Sequence, residues 1–345
     1  MITSAHMHAH ANRKIQVGLS LVELMISITI GLLILAAMAT LFSTQNKTRS
    51  ELDKSTRMID NGRYALELLT DNLRMAGFYA NYMPSGAPTS TPDPCDLTIL
   101  SNSATNLDVL RHHVQGYDAA LATSQITALP TACGFTYVTG NATSLKAGSD
   151  ILVLRRASTS TVAAASAVAA TTYLQVSNCS TDTVSYQVAP GTANFTTFRN
   201  KDCATSASLR PFMVHAYFVS PDNHTGDGIP TLKRSELDPA SGAFVTTPLV
   251  EGIEFMQIDY GLDADADGVA DSYIAAPAAA DWPNIVSVKI NIIARNTETT
   301  PSFTDTKTYA LGSAGTFGPF NDHYKRHAYT QVARLVNPSS RREAP

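Results

Sequence analysis

The sequence predicts an α+β protein in which one long N-terminal α-helix packs on an antiparallel β-sheet globular domain. Three observations carry this. An apolar run extends from Leu19 to Phe42, interrupted by a single acid, Glu23, near its start. No proline occurs between there and Ala76, and apolar residues keep recurring at helical spacing. Beyond Gly77 the pattern changes to short β-type runs divided by Pro, Gly, Ser and Thr, with no helical stretches between them.

The helix divides in two. Leu19 to Phe42 is 24 residues, about 36 Å as a helix and enough to cross a bilayer. The second half, residues 43–77, is amphipathic. Leu52, Ile59, Leu66 and Leu73 repeat every seven residues, joined by Leu69 and Ala76 with Ser55 and Gly62 between, and the charges lie largely elsewhere. Gly77 is the expected stop, since glycine accepts the left-handed conformation that ends helices. The organisation is therefore a leader (1–18), a transmembrane or filament-core helix (19–42), an amphipathic half (43–77) and a β-rich domain (78–345).

In that domain, Met83 to Pro94 reads as loop. Strand candidates are Leu107–Arg111, Phe135–Val138, Ile151–Leu154, Tyr173–Val176, Val184–Val188, Phe212–Val219 and Ile253–Tyr260. Ala157 to Thr172 is a low-complexity Ala/Ser/Thr/Val stretch, expected as a flexible loop. Thr231–Arg234 and Ala243–Thr246 read as a hairpin around Ala240-Ser241-Gly242. Ile285–Ile293 alternates Val286, Val288, Ile290 and Ile292 with Ser287, Lys289 and Asn291, as a half-buried strand does. His327–Leu335 reads as a last strand, and Asn337 to Pro345 as a frayed tail.

Charge excludes one class of partner. The chain carries 25 bases and 29 acids; without Arg13 and Lys14 of the leader the net charge is −6, and no basic face for nucleic acid is visible. The four cysteines, Cys95, Cys133, Cys179 and Cys203, all follow the apolar span and lack the close pairs of a zinc site. An even count in an exported domain favours two disulfides. Three connectivities are open; Cys95–Cys133 with Cys179–Cys203 closes the smaller loops. His6, His8 and His10 fall in the leader, and the remaining histidines are scattered. No nucleophile-elbow, P-loop, zincin or dinucleotide motif occurs, and although Ser and Asp are plentiful no residues point to a catalytic site, so none is assigned.

One loop has the spacing of a cation site. Asp263, Asp265, Asp267 and Asp271 stand at positions one, three, five and nine, with Gly268 at six. This is the first part of a calcium loop: the acids converge on a hard cation, glycine makes the turn, and Val269 offers a carbonyl. Position twelve is Ile274 rather than the bidentate glutamate, so the expected ligand is Ca2+ held more weakly than in a full EF-hand. The competing reading is a solvated acidic turn.

The N-terminus carries the most specific pattern: Arg13-Lys14, then Gly18-Leu19-Ser20-Leu21-Val22-Glu23-Leu24-Met25 and the apolar run. An acid inside a membrane span costs at least about 2.5 kcal/mol and asks for a function. The pattern resembles the type III signal of type IV prepilins and, within them, the PilW family of minor pilins. Asn61 to Phe78, Val250 to Arg295 and Val332 to Asn337 also resemble that family. The resemblance implies cleavage by prepilin peptidase after Gly18, methylation of Leu19, and pairing of Glu23 with the terminal amine of a neighbouring subunit. It further implies partnership with other minor and major pilins. The protein would sit as a single-pass inner-membrane protein with its C-terminal domain periplasmic, then in the pilus at the cell surface. A minor pseudopilin of type II secretion, most similar to the J-type subunit, would share this N-terminus. A membrane-anchored periplasmic hydrolase is a third reading. An ordinary signal peptide cut after Ala37-Met38-Ala39, or an uncleaved anchor, are the plainer accounts of the apolar run.

Overall fold

A computed structural model describes residues 18, 20–96, 98, 99, 106–193 and 195–343. Leu19 and leader residues 1–17, with Arg13 and Lys14, lie outside the described residues. The chain forms two compact units, the first ending at Asp53 and the second beginning at Lys54.

Helix α1 runs Leu21–Met75. In the first unit its apolar side chains from Leu21 to Phe42 are more than half exposed where large, and the segment is long and apolar enough to cross a membrane. In the second unit Met58, Gly62, Ala65, Leu66, Leu69, Thr70 and Leu73 are buried. The buried face begins at Met58, and Leu52 and Ile59 of the expected heptad stripe stand 62% and 36% exposed. A straight helix turns 3.6 residues per turn, so a seven-residue repeat drifts by about 20° each time and Leu52 has rotated off the face held by Leu73. Gly77 ends the helix at φ +71°, its amide donating to the Arg155 carbonyl.

The second unit contains three antiparallel sheets among the described residues. The first holds β1 (Val114–Tyr117), β2 (Ile151–Ala157), β3 (Thr172–Val176), β4 (Tyr186–Pro190), β5 (Leu209–Ser220), β6 (Thr231–Leu237) and β7 (Phe244–Glu251). Twelve-residue β5 is its spine: one end pairs with β3, the other with β6, and β2 runs alongside. The expected hairpin is β6–β7, closed by Asp238, whose carboxylate accepts from Ala240 and Ser241. The second sheet has the order β13-β10-β8-β9, with β8 (Ile253–Leu262), β9 (Ser272–Ile274), β10 (Ile285–Arg295) and β13 (Arg326–Arg334). The third is the small β11–β12 ribbon (Tyr309–Ala310 with Thr316–Phe317).

The buried face of α1 packs on both larger sheets. Leu66, Leu69 and Leu73 share one core with Leu152, Tyr217 and Val219 of the first sheet and Ile258, Val288 and Ile290 of the second. Gly62 lets β13 approach: a Cβ there would lie 2.4 Å from the Tyr329 ring. The reverse face of the first sheet forms a second core around Tyr79, Ile151, Val153, Phe212 and Phe218.

Several expectations are corrected. Leu107–Arg111 is not a strand but part of helix α2 (Asn106–Arg111); Asp108 and Arg111 pair one turn apart at 3.0 Å, and the Asp108 carboxylate accepts from the amides of Thr89 and Ser90. Phe135–Val138 is irregular, with one isolated bridge, Thr136 to Ser144. Strand β10 is buried on both faces, because the segment carrying β11 and β12 folds back over its polar side. There Asn291 donates to the Asp259 carboxylate at 3.2 Å and accepts from Thr330 at 2.9 Å. The tail is ordered as helix α3 (Val336–Arg342), with Pro338 in its first turn and Arg341 and Arg342 in its last. Ala157 to Thr172 is anchored by bridging of Val162 to Leu209 and by a short 3-10 turn, Ala164–Ser166.

Helix α3 completes α1. Asn337 Nδ2 donates to the Ala76 carbonyl at 3.1 Å and Arg341 Nη2 to the Gly77 carbonyl at 2.6 Å, satisfying groups that a helix end leaves without intrahelical partners. Cys95 is bonded to Cys133 and Cys179 to Cys203, the two pairs that close the smaller loops. Across separations of 38 and 24 residues, the chain-entropy account assigns each about 3–4 kcal/mol.

Candidate functional site

Two places carry the residues singled out by sequence: the head of α1 and the turn between β8 and β9.

At the head, Gly18 is exposed. Ser20 and Glu23 form a reciprocal cap. The Ser20 amide donates to Glu23 Oε2 at 2.9 Å, and the Glu23 amide donates to Ser20 Oγ at 3.2 Å. This is the capping box, Ser at N-cap and Glu three residues on, which satisfies two helix-end donors. Glu23 therefore has a local task. The signal was in the sequence as Ser-x-x-Glu before an apolar run. From Leu24 to Gln45 no charged side chain follows.

In the turn, Asp263 follows β8 directly and Asp271 returns to it, its amide donating to the Leu262 carbonyl. Ala266 and Gly268 take left-handed conformations, φ +67° and +83°, that fold the acids inward. One oxygen from each of Asp263, Asp265 and Asp267 lies within 4.8 Å of the others. Asp271 stands apart from that group, its carboxylate accepting from the Ala264 amide at 2.7 Å. Val269 is exposed, and its amide donates to Asp267 at 2.7 Å.

Asp263 is fully buried and already has a cation. Arg342 of α3 donates through Nε to its Oδ2 at 2.6 Å and through Nη2 to its carbonyl at 3.0 Å; the amides of Ala266 and Gly268 also donate to its carboxylate. Burial pushes the Asp263 pKa up, and the bonds from Arg342, Gly268 and Ala266 outweigh it, holding the carboxyl below its ordinary value. The tail seats on the turn: a Cβ at Gly268 would lie 2.4 Å from Glu343. Arg342 was missed because 79 residues separate it from Asp263.

The histidines are structural. His112 bonds the Asp108 carbonyl and His113 the Ile285 carbonyl. Burial pushes them down to about 4 and about 3, and His215 to about 3, so all three are neutral at physiological pH. Asp93 stands beside Cys95 and Cys133, but those sulfurs are joined to each other and do not act as metal ligands.

The described residues thus combine an apolar helix, exposed over its first half and capped at its head, with an antiparallel β domain whose last helix packs on the acidic turn. Residues 216–337 match the family described as Type IV Pilus-assembly protein W. That match runs from within β5 to the start of α3 and includes the acidic turn. Among solved structures, the chain is similar to the Type IV-like pilin TTHA1219 from Thermus thermophilus, at 10% identity, 82% coverage of this chain, 98% of that one and a TM-score of 0.36. No curated protein matches the chain.

Proposed function

We propose that this protein is a minor pilin: a structural subunit cut by prepilin peptidase between Gly18 and Leu19, held in the inner membrane by α1 with its β domain periplasmic, and packed into or priming a type IV pilus. The observation that carries the reading is the exposed apolar half of α1 with one acid at its capped head, on a chain whose C-terminal third matches a pilus-assembly family. Charge supports a filament role. After processing, the new amine of Leu19 lies four residues from Glu23, and in a bundle of such helices an amine of one subunit offsets the acid of the next. N-terminal sequencing of the protein recovered from its own cells is the test. The expected start is Leu19, carrying a methyl group. A chain starting at Thr40 identifies an ordinary signal peptide, and an intact Met1 an uncleaved anchor; either defeats the reading. Gly18→Asp is expected to leave the chain uncut.

The turn from Asp263 to Asp271 supports calcium as a ligand of this subunit. Its left-handed residues and the convergence of Asp263, Asp265 and Asp267 suit a hard cation, and the ion would relieve their repulsion. Arg342 already neutralises part of Asp263 and position twelve lacks an acid, so the expected affinity is weak, about 10⁻⁵–10⁻³ M, reaching into the range of extracellular modules. Calcium is expected to raise the melting temperature of the full chain in detergent, and Asp265→Ala with Asp267→Ala to remove that rise. Magnesium, which gives up its water reluctantly, should do less. A melting curve unmoved by millimolar calcium would mean that Arg342 is the turn's sole cation.

A further inference from the structure

The structure assigns a second ligand site to this chain: we propose that the cavity walled by Arg111, Arg341 and Arg342 binds a small organic anion through its phosphate or carboxylate group. The cavity holds about 460 Å³ and opens between the loop at Ser85, the end of α2, the turn at Asn284 and helix α3. This volume exceeds that of a bare oxyanion and leaves room for a short organic body against Met83, Leu110 and Pro283.

Its charge is one-sided. Three arginines line it and no Asp or Glu does, among the described residues. Two of them are balanced from outside the cavity, Arg111 by Asp108 at 3.0 Å and Arg342 by Asp263 at 2.6 Å. Arg341 has no carboxylate partner among the described residues. Its Nε donates to the Asn337 carbonyl and its Nη2 to the Gly77 carbonyl, and its guanidinium lies 5.9 Å from the Tyr79 ring centroid. These contacts leave its Nη1 donors unbonded among the described residues, on a side chain whose surroundings are partly dry. Removal from water lowers the Arg341 pKa, the mark of a cation short of counter-charge.

A guanidinium presents a planar fork that matches carboxylate and phosphate, and an anion seated there accepts from the Arg341 donors that the two carbonyl oxygens leave free. The backbone contacts fix Arg341 in place, so little side-chain freedom is lost on binding. This inference does not depend on the filament reading, since it concerns the isolated chain.

The test is melting of the full chain in detergent with inorganic phosphate, with succinate, and with chloride at matched ionic strength. The expected result is a saturable rise over chloride, about 2–4 °C at tenfold the dissociation constant. A rise with phosphate alone identifies a phosphate ligand, and one with succinate alone a carboxylate. Arg341→Gln is expected to abolish the rise. Because that change also touches the end of α1, Ala280→Asp serves as the second variant: Ala280 is exposed at the cavity wall, so an acid there should leave the ligand-free melting point in place and remove the anion response. No rise over chloride with either anion, or a rise that persists in both variants, overturns the proposal.

Discussion

Arg326→Met is expected to lower the stability of the second unit by about 3–5 kcal/mol, the cost of breaking a buried ion pair from one side. Arg326, at the start of β13, is the hub of a buried charge network. Its Nε meets Glu254 at 2.6 Å, its Nη1 meets Asp305 at 3.0 Å and its Nη2 meets Asp322 at 2.6 Å; the Phe320 ring lies 4.0 Å from the guanidinium. Glu254 is 4% exposed and Asp305 fully buried. Without the guanidinium, Glu254 keeps Arg295 at 3.5 Å and Asp305 keeps the Tyr309 hydroxyl at 3.0 Å. Three anions then face one another across the join between β8, β13 and the loop before β11. Denaturant unfolding of the full chain in detergent checks this, with Arg326→Lys recovering part of the loss by restoring a point charge without the fork. A change under about 1 kcal/mol would mean that the carboxylates take up protons or water at small cost. The pH dependence has a definite sign. The Asp322 pKa is lowered by its bonds to Arg326, against some desolvation, so this stabilisation is present above the unfolded value, about 3.9, and is lost as pH falls through the lower folded value. The gap between wild type and Arg326→Met should narrow across that acidic window.

Glu23→Ala is expected to remove the subunit from assembled filaments almost entirely, about 100-fold if the neighbouring subunit's terminal ammonium, left without its acid in an apolar bundle, costs about 2.5–3.5 kcal/mol. The alanine variant alone is ambiguous, because Glu23 also closes the cap with Ser20. Glu23→Gln separates the two roles. Glutamine keeps the reciprocal cap and discards the charge. Under the filament reading both variants are processed after Gly18 and both are missing from sheared filaments. If Glu23→Gln assembles normally while Glu23→Ala does not, the residue acts as a helix cap and the charge-pairing account is wrong.

What could be read from the sequence follows from the range of the forces involved. Gly77 as a helix stop and the β6–β7 hairpin depend on neighbours a few residues away, and both were legible. The heptad at Leu52 and Ile59 misled because a seven-residue count ignores the slow drift of a straight helix. Leu107–Arg111 looked like a strand from its branched and apolar residues; the pairing of Asp108 with Arg111 and the docking of Ser90 on Asp108 decided otherwise. Ser287 and Asn291 gave β10 the look of a half-wet strand, yet Ser287 meets the Tyr273 hydroxyl of β9, and Asn291 lies beneath the segment at Gly312, some 20 residues later, with Thr330 and Asp259 supplying partners. At the acidic turn, spacing located the carboxylates, while Arg342 lies too far along the chain for any local pattern to reach. The three arginines of the cavity come from Arg111 and from a tail that read as frayed, so their meeting is a product of the fold alone.

The bonds from Asn337 and Arg341 to the carbonyls of Ala76 and Gly77, just past α1, have a consequence for the order in which the protein is made. They join residues 261 and 264 positions apart. During synthesis α1 emerges early, and the residues that finish its C-terminal end are translated hundreds of steps later. Until then the carbonyls of Ala76 and Gly77 and the floor beneath Tyr79 stand open. A product stopped short of residue 336, or clipped there by a protease, would carry every strand and both disulfides yet keep this seam unsealed. Loss of helix α3 is therefore expected to show as faster cleavage by a protease near Ala76 and Gly77, with the strands left intact.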